Sequence, residues 1–328
     1  MSAPGSVQQL WRFPVKSMGG TAVEQVRIDR RGVHADRLWA VRDLENDVTA
    51  SARRVPALLG CTARYAREPG DDAGPGRAPT VIVTFPDGAE LDSDDPAIHD
   101  RISEVVGREV RLTPLPPVKD TSAHRLSLRQ SLANYAASVV RQDFGLSADE
   151  ALPDTSVFTT KQVLTLARFS TPPGTFVDLS PVHLMSTSSL AALSPDGVPY
   201  DVRRFRPNVL VDVAGAVGFP ETQWVGSQLR LGTVSLNVDI PTIRCVVPTR
   251  AQPGLETDRG LTRQLAQLTD RFLGVYAEVT EAGVVRVGDE VIVHAVAEPG
   301  AVRRAASAAG RTALRGLQRV LEATVLRG

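Results

Sequence analysis

The sequence predicts a strand-rich α+β protein with two domains and a separate C-terminal helix. Three observations predict it. Short apolar runs broken by Gly, Pro and Asp turns recur from residue 7 to residue 296. Helical spacing is confined to a few stretches within that span, near 96–106, 125–144 and 261–272. The chain has 328 residues, 42% hydrophobic and 23% charged, enough for one large core or two ordinary ones. The expected division is 1–115, then 116–298 with a helical insertion near 125–145, then 299–328.

Taken in order, residues 7–15 alternate polar and apolar and read as a strand. Lys16-Ser17 and Gly19-Gly20 form a turn before strands at 23–28 and in 34–42. Residues 58–65 and 80–85 read as strands around an exposed Gly/Pro/Asp loop, 68–79. Pro86-Asp87-Gly88 is a hairpin turn. A helix over 96–106 is expected to start at Asp95-Pro96 and stop at Gly107, with a strand at 109–113. Leu128, Leu132 and Val139/Val140 predict a helix that Gly145 closes. Residues 162–167 read as a strand. Ser186 or Thr187 should cap a short helix. Strands follow at 209–213, 226–231 and 233–240, and Pro241 is expected to stop the pairing. The 261–272 helix ends at Gly274, and strands at 275–280, 284–287 and 290–296 close the compact region. Residues 301–326 read as a basic amphipathic helix, with packing on its own domain or on a partner favoured over a membrane surface.

Formal net charge is zero, which argues against a general nucleic-acid binder. Two cysteines, Cys61 and Cys245, exclude a multi-disulfide scaffold and any iron–sulfur site with four cysteine ligands. No secretory signal and no bilayer-spanning run is read, so a reducing, cytoplasmic setting is expected.

Four clusters carry chemistry. Cys245 follows a strand and stands beside Arg244, whose charge favours thiolate, the form that attacks electrophiles or binds soft metals. A small buried hydrophobe is the other role open to it. Lys16, Ser17 and Arg37 either converge on a phosphate or are three solvated surface residues. Ser186 and Thr187 offer a helix start that caps itself and could meet an anion. Arg203, Arg204 and Arg206 precede an apolar strand. Asp201 can satisfy one of them, and the others want an anion. His183, in an apolar stretch, reads as a hydrogen-bonded core histidine.

Together, Phe13-Pro14-Val15-Lys16-Ser17, Asp36-Arg37-Leu38-Trp39, Arg204-Phe205-Arg206-Pro207-Asn208, Trp224-Val225-Gly226, Arg244-Cys245 and Gly288-Asp289 resemble the MOSC (molybdenum cofactor sulfurase C-terminal) family over most of 5–295. The bacterial homologues of the mitochondrial amidoxime-reducing component look most similar. The resemblance implies an N-terminal β-barrel domain and a MOSC β-barrel domain with peripheral helices. It implies a molybdenum–molybdopterin cofactor, independent of pyridoxal phosphate. Cys245 would be its one protein thiolate, and Lys16, Ser17, Arg37, Ser186, Thr187, Arg206, Asn208 and Arg244 would hold the pterin and phosphate. Ile243 departs from the small polar residue relatives often carry there. The implied activity is reduction of small N-oxygenated compounds such as N-hydroxylamines and amidoximes. Electrons would come from a separate ferredoxin-, flavodoxin- or cytochrome-type protein, because the chain has no dinucleotide fingerprint and no iron–sulfur cysteines. The alternative is a cofactor or persulfide carrier without turnover of its own.

Overall fold

The computed structural model describes residues 5–294 except 135 and 155, and leaves the side chain of Thr160 aside. The basic helix expected at 301–326 lies outside the described residues. Seven strands close into a barrel, in the order Val209–Val213, Val182–Ser186, Phe272–Glu281, Val234–Ile243, Gln228–Leu231, Glu290–His294 and Gly5–Arg12. The last pairs back with the first, so the barrel has no free edge. All pairs are antiparallel except Val182–Ser186 with Val209–Val213. Val7, Leu10, Leu184, Val211, Leu229, Leu236 and Val275 fill the interior.

The barrel therefore takes one strand from the first twelve residues of the chain. A second exchange runs the other way, because Gly283–Arg286 pairs with Gln25–Asp29. The N-terminal segment has its own core. Trp39–Asp43 pairs with Val48–Thr49 and Val110–Pro114, and Thr62–Tyr65, Val81–Thr84 and Glu90–Asp92 form a second sheet. The helix Ala97–Val106 buries Ile98 and Ile102 against them. As expected, Gly107 stops it in the left-handed region.

Three expectations are corrected. Residues 162–167 are not a strand but part of the helix Thr160–Arg168. Thr159 and Gln162 make a reciprocal capping box there, which fixes the helix start more firmly than an apolar run fixes a strand. The 125–144 stretch is two helices, Leu128–Asn134 and Ala137–Phe144. Pro241 does not end pairing. Val234–Ile243 passes through it, with register shifts on either side that let a residue without an N–H sit opposite Val275.

Candidate functional site

The first barrel strand ends at Arg12, and the chain crosses into the N-terminal sheet through residues 13–17. The Lys16 N–H donates to Trp39 O at 2.8 Å, and Trp39 N–H to Pro14 O at 3.0 Å. The Asp36-Arg37 turn is locked to the same crossing. Phe13 N–H donates to Asp36 Oδ1 at 2.7 Å, and Arg37 N–H to Phe13 O at 2.7 Å. Arg37 also pairs with the Asp36 carboxylate. From the barrel, Arg206 and Asn208 lead into Val209–Val213, and Asn208 Nδ2 donates to Asp36 Oδ2 at 3.2 Å. The Phe13 ring lies between two guanidinium groups, with Arg37 5.0 Å and Arg206 4.4 Å from its centroid.

Ser17, Arg37 and Arg206 all hold a left-handed backbone, with φ of 71°, 52° and 57°. Residues with a Cβ pay roughly 1–3 kcal/mol for such positions, which cluster at ligand sites. All three line one cavity of about 1080 Å³, together with Lys16, Asn208, Arg244 and Cys245. Lys16, Ser17 and Arg37 are buried, not solvated. Nine basic side chains line the cavity against three carboxylates, although the chain as a whole is neutral.

That excess is only partly satisfied from within. Lys16 pairs with Asp178. Burial lowers the Lys16 pKa, against the pull of Asp178, and Arg37 and Arg53 lower it further. Burial pushes the Asp178 carboxyl up, but Lys16, Arg37 and Arg53 outweigh it and hold it well below the usual range. Arg206 donates to Met18 O at 2.6 Å, while its other terminal nitrogen has no partner among the described residues. Burial, then Arg37, pushes the Arg206 pKa down to about 9, so it stays charged at neutral pH at a cost. Arg203 is paired with Asp201, and Arg204 donates to the carbonyls of Pro248, Arg250 and Glu256. The expectation that two of these three arginines want an anion is therefore corrected to one, Arg206.

Cys245 lies just past the end of Val234–Ile243, half-buried on the cavity wall. Burial raises its pKa. Arg53 opposes most, then the Val247 N–H and Arg244, and the thiol stays above its ordinary value. Arg244 thus pulls toward thiolate, the expected direction, but burial outweighs it. Arg244 spends its guanidinium on His183 Nε2 at 3.2 Å and Phe205 O at 2.7 Å. His183 is buried and hydrogen-bonded as expected, and burial followed by Arg244 keeps it neutral. A soft metal at this sulfur would displace the thiol proton. Among the described residues no group of three or more His, Cys, Asp or Glu side chains converges on a metal position. A metal at Cys245 would therefore need most of its ligands from a larger group that carries it. An anionic organic group fits the rest of the cavity, whose lining carries Lys16, Arg37 and Arg206.

Ser186 and Thr187 are not brought to this cavity. Ser186 caps Thr187–Ala192, accepting from Ser189 N–H at 3.1 Å, and donates to the buried Glu221 at 2.6 Å. Thr187 donates to Asp212 at 2.6 Å. His183 lines the cavity, and Ser186 is three residues further along the same strand, about 10 Å away. Sequence reasoning missed Arg53, Asp178 and Tyr276, which also line it. None sits in a motif of its own; only folding brings them beside Cys245.

The MOSC N-terminal beta barrel domain is matched over residues 4–107, and the MOSC domain over 172–292. Mitochondrial amidoxime reducing component 2 of Rattus norvegicus is 26% identical over 308 residues, covering 88% of this chain and 82% of that protein. The protein of the same name from Homo sapiens is 24% identical over 324 residues, covering 88% and 83%. Among solved structures, the YUAD protein from Bacillus subtilis aligns with a TM-score of 0.39 at 12% identity, covering 90% of this chain and 97% of that one.

Proposed function

Because the chain belongs to the MOSC family, with the N-terminal barrel domain and the MOSC domain in succession, we propose that it is a molybdenum cofactor-dependent reductase of N-oxygenated compounds. The observation that carries this reading is the cavity itself: a single accessible thiol, no competing metal cluster among the described residues, and a cationic wall with an unpartnered guanidinium nitrogen. Lys16, Arg37 and Arg206 would grip the pterin phosphate, Ser17 and Asn208 would line its path, and Cys245 would be the protein's metal ligand. Bound there, the molybdenum–pterin group supplies a two-electron couple that no side chain has. The net reaction converts R–NHOH, two electrons and two protons into R–NH₂ and water. The names of the relatives, amidoxime reducing components, support this substrate class.

The chain's own residues would do the remaining work. Asp178 and Lys16 keep a charged pair at the polar end of the cavity. Arg53 sets a positive charge beside the sulfur and is itself tied to Asp143 at 3.4 Å. Electrons would arrive from a separate ferredoxin-, flavodoxin- or cytochrome-type protein. No described helix is long and apolar enough to cross a membrane; a cytoplasmic setting, where both thiols remain free, is part of the same proposal.

The test is molybdenum and released pterin per chain, in protein made with cofactor biosynthesis intact, beside Cys245→Ala. Near-stoichiometric metal that falls sharply in the variant is expected, with catalytic reduction of a hydroxylamine by a chemical reductant. Metal without turnover would instead identify a carrier. Metal-free wild type would end the cofactor reading.

A further inference from the structure

The family matches stop at residue 107 and resume at 172. The intervening segment contains the helices Leu128–Asn134, Ala137–Phe144 and Thr160–Arg168. It leaves and rejoins the body at one point. Leu126 N–H donates to Arg168 O at 3.0 Å, and Ser170 N–H to His124 O at 2.8 Å. Between those bonds the chain makes an excursion that returns over the Cys245 cavity.

We infer that this excursion is the substrate-selecting wall of the site, and that it selects N-oxygenated compounds with a sizeable apolar body. The inference rests on the function proposed above. Val140, Leu152, Phe158, Val163, Leu166 and Phe169 all line the same cavity as Cys245, and none of the six is fully buried. Val163 and Leu166 stand three apart and share one face of Thr160–Arg168. Phe158 and Phe169 flank the two ends of that helix. Gln162 Nε2 anchors it to the barrel, donating to Asp239 Oδ2 at 2.7 Å. The excursion is tied to the residue after Cys245: Val246 N–H donates to Asp143 O at 2.9 Å, in Ala137–Phe144.

Size separates two occupants. The cavity, about 1080 Å³, lies at the top of the roughly 300–1,000 Å³ that ligand sites span, which leaves room for a small molecule beside a cofactor. A cofactor held by Lys16, Arg37 and Arg206 occupies the cationic end and leaves an apolar volume beside it. Water held against Phe158, Leu166 and Phe169 faces apolar side chains. An aryl or alkyl group displaces it favourably.

The experiment measures kcat/KM of the cofactor-loaded protein for N-hydroxyamidines whose carbon substituent grows from methyl through butyl to phenyl and naphthyl. It also measures equilibrium binding of the corresponding amidines, which have no N–O bond to reduce. A rise of about fourfold per added methylene is expected in both series until the wall is filled. Leu166→Asn should flatten the ratio between largest and smallest compounds at least tenfold, and Leu166→Met should keep it. If the variants do not fold, the wild-type series decides alone. Turnover of small hydroxylamines with no size gradient overturns the inference and leaves the reductase standing. A gradient in amidine binding without any N-reduction supports the wall and removes the reductase.

Discussion

Arg206 is the residue on which stability and ligand binding pull in opposite directions. Its left-handed backbone and its unpartnered nitrogen carry a cost in the protein alone, which the cation–π contact with Phe13 offsets only in part. Arg206→Met keeps an apolar stem against Phe13 and removes the charge. The cofactor-free variant should melt within about 1 kcal/mol of wild type, because the bond to Met18 O is lost together with the charge penalty. Its molybdenum content should fall at least tenfold, the value of one charge-assisted hydrogen bond of roughly 1.5–3 kcal/mol. Metal analysis and thermal melts on the same preparations read both. A variant that melts much earlier yet keeps its metal would make Arg206 a structural residue. Asn208 and Lys16 do not offer this contrast, since neither leaves a buried nitrogen without a partner among the described residues.

At the scale of the element, the strand Phe272–Glu281 supports the site from behind. Gly274 has φ of 79°, and a Cβ there would sit 2.6 Å from His183 Nε2 and 2.8 Å from Leu184 O. Only glycine lets this strand approach the histidine that holds Arg244. Gly274→Ala should therefore lower stability by more than about 2 kcal/mol and release Arg244 from His183, which chemical unfolding and the imidazole resonances of His183 would report. The sequence reading placed this glycine as a helix stop. The helix Leu261–Thr269 in fact ends with Asp270 in the left-handed region, and Gly274 lies inside the following strand. The same limit explains the other misreadings. Period-two and period-3.6 patterns are hard to separate in six residues, so 162–167 looked like a strand, although the Thr159–Gln162 box was present in the letters. What was legible was local: turns, the Ser186 cap, the Lys16-Ser17 and Asp36-Arg37 pairs, and the strand leading to Cys245. Arg53 and Asp178 were not legible, because their meaning comes from partners far away in the chain. Trp224 and Gly288-Asp289 were read as family marks, and they turn out to serve the barrel. Trp224 is buried in its core, and the Gly288 turn bonds to Val7 of the first strand.

For the whole molecule, the question is how the excursion over the cavity is held to two interlocked cores. No periodicity announces the exchange of Gly5–Arg12 into the barrel; closure depends on which strand is left with an open edge. The excursion's base is fastened by His124, which is fully buried against Phe176 with ring centroids 5.3 Å apart. Its Nε2 accepts from Gly174 N–H at 3.4 Å, so Nδ1 carries the proton toward Thr171 Oγ1 at 2.8 Å. A second proton on Nε2 would point at an N–H donor. Burial pushes the His124 pKa from 6.5 down to about 4; Asp120 opposes the shift and Arg42 adds to it. The sign follows from linkage. The unfolded chain takes up a proton at this histidine near pH 6.5, while the folded protein resists until about pH 4. The stability that neutral His124 contributes is present above pH 6.5 and drains away as pH falls toward 4. The full swing is on the order of 3 kcal/mol. Thermal melts across that window should show the wild type losing stability faster than His124→Asn. The curves should run parallel above pH 7. Equal slopes in the acid window would mean that the base of the excursion is held without this histidine's neutral form. Hydrogen-exchange protection factors within Ala137–Phe144 and Thr160–Arg168, which take out the intrinsic slowing of exchange with falling pH, would then stay unchanged from pH 7 to pH 5, where a weakened base should lower them.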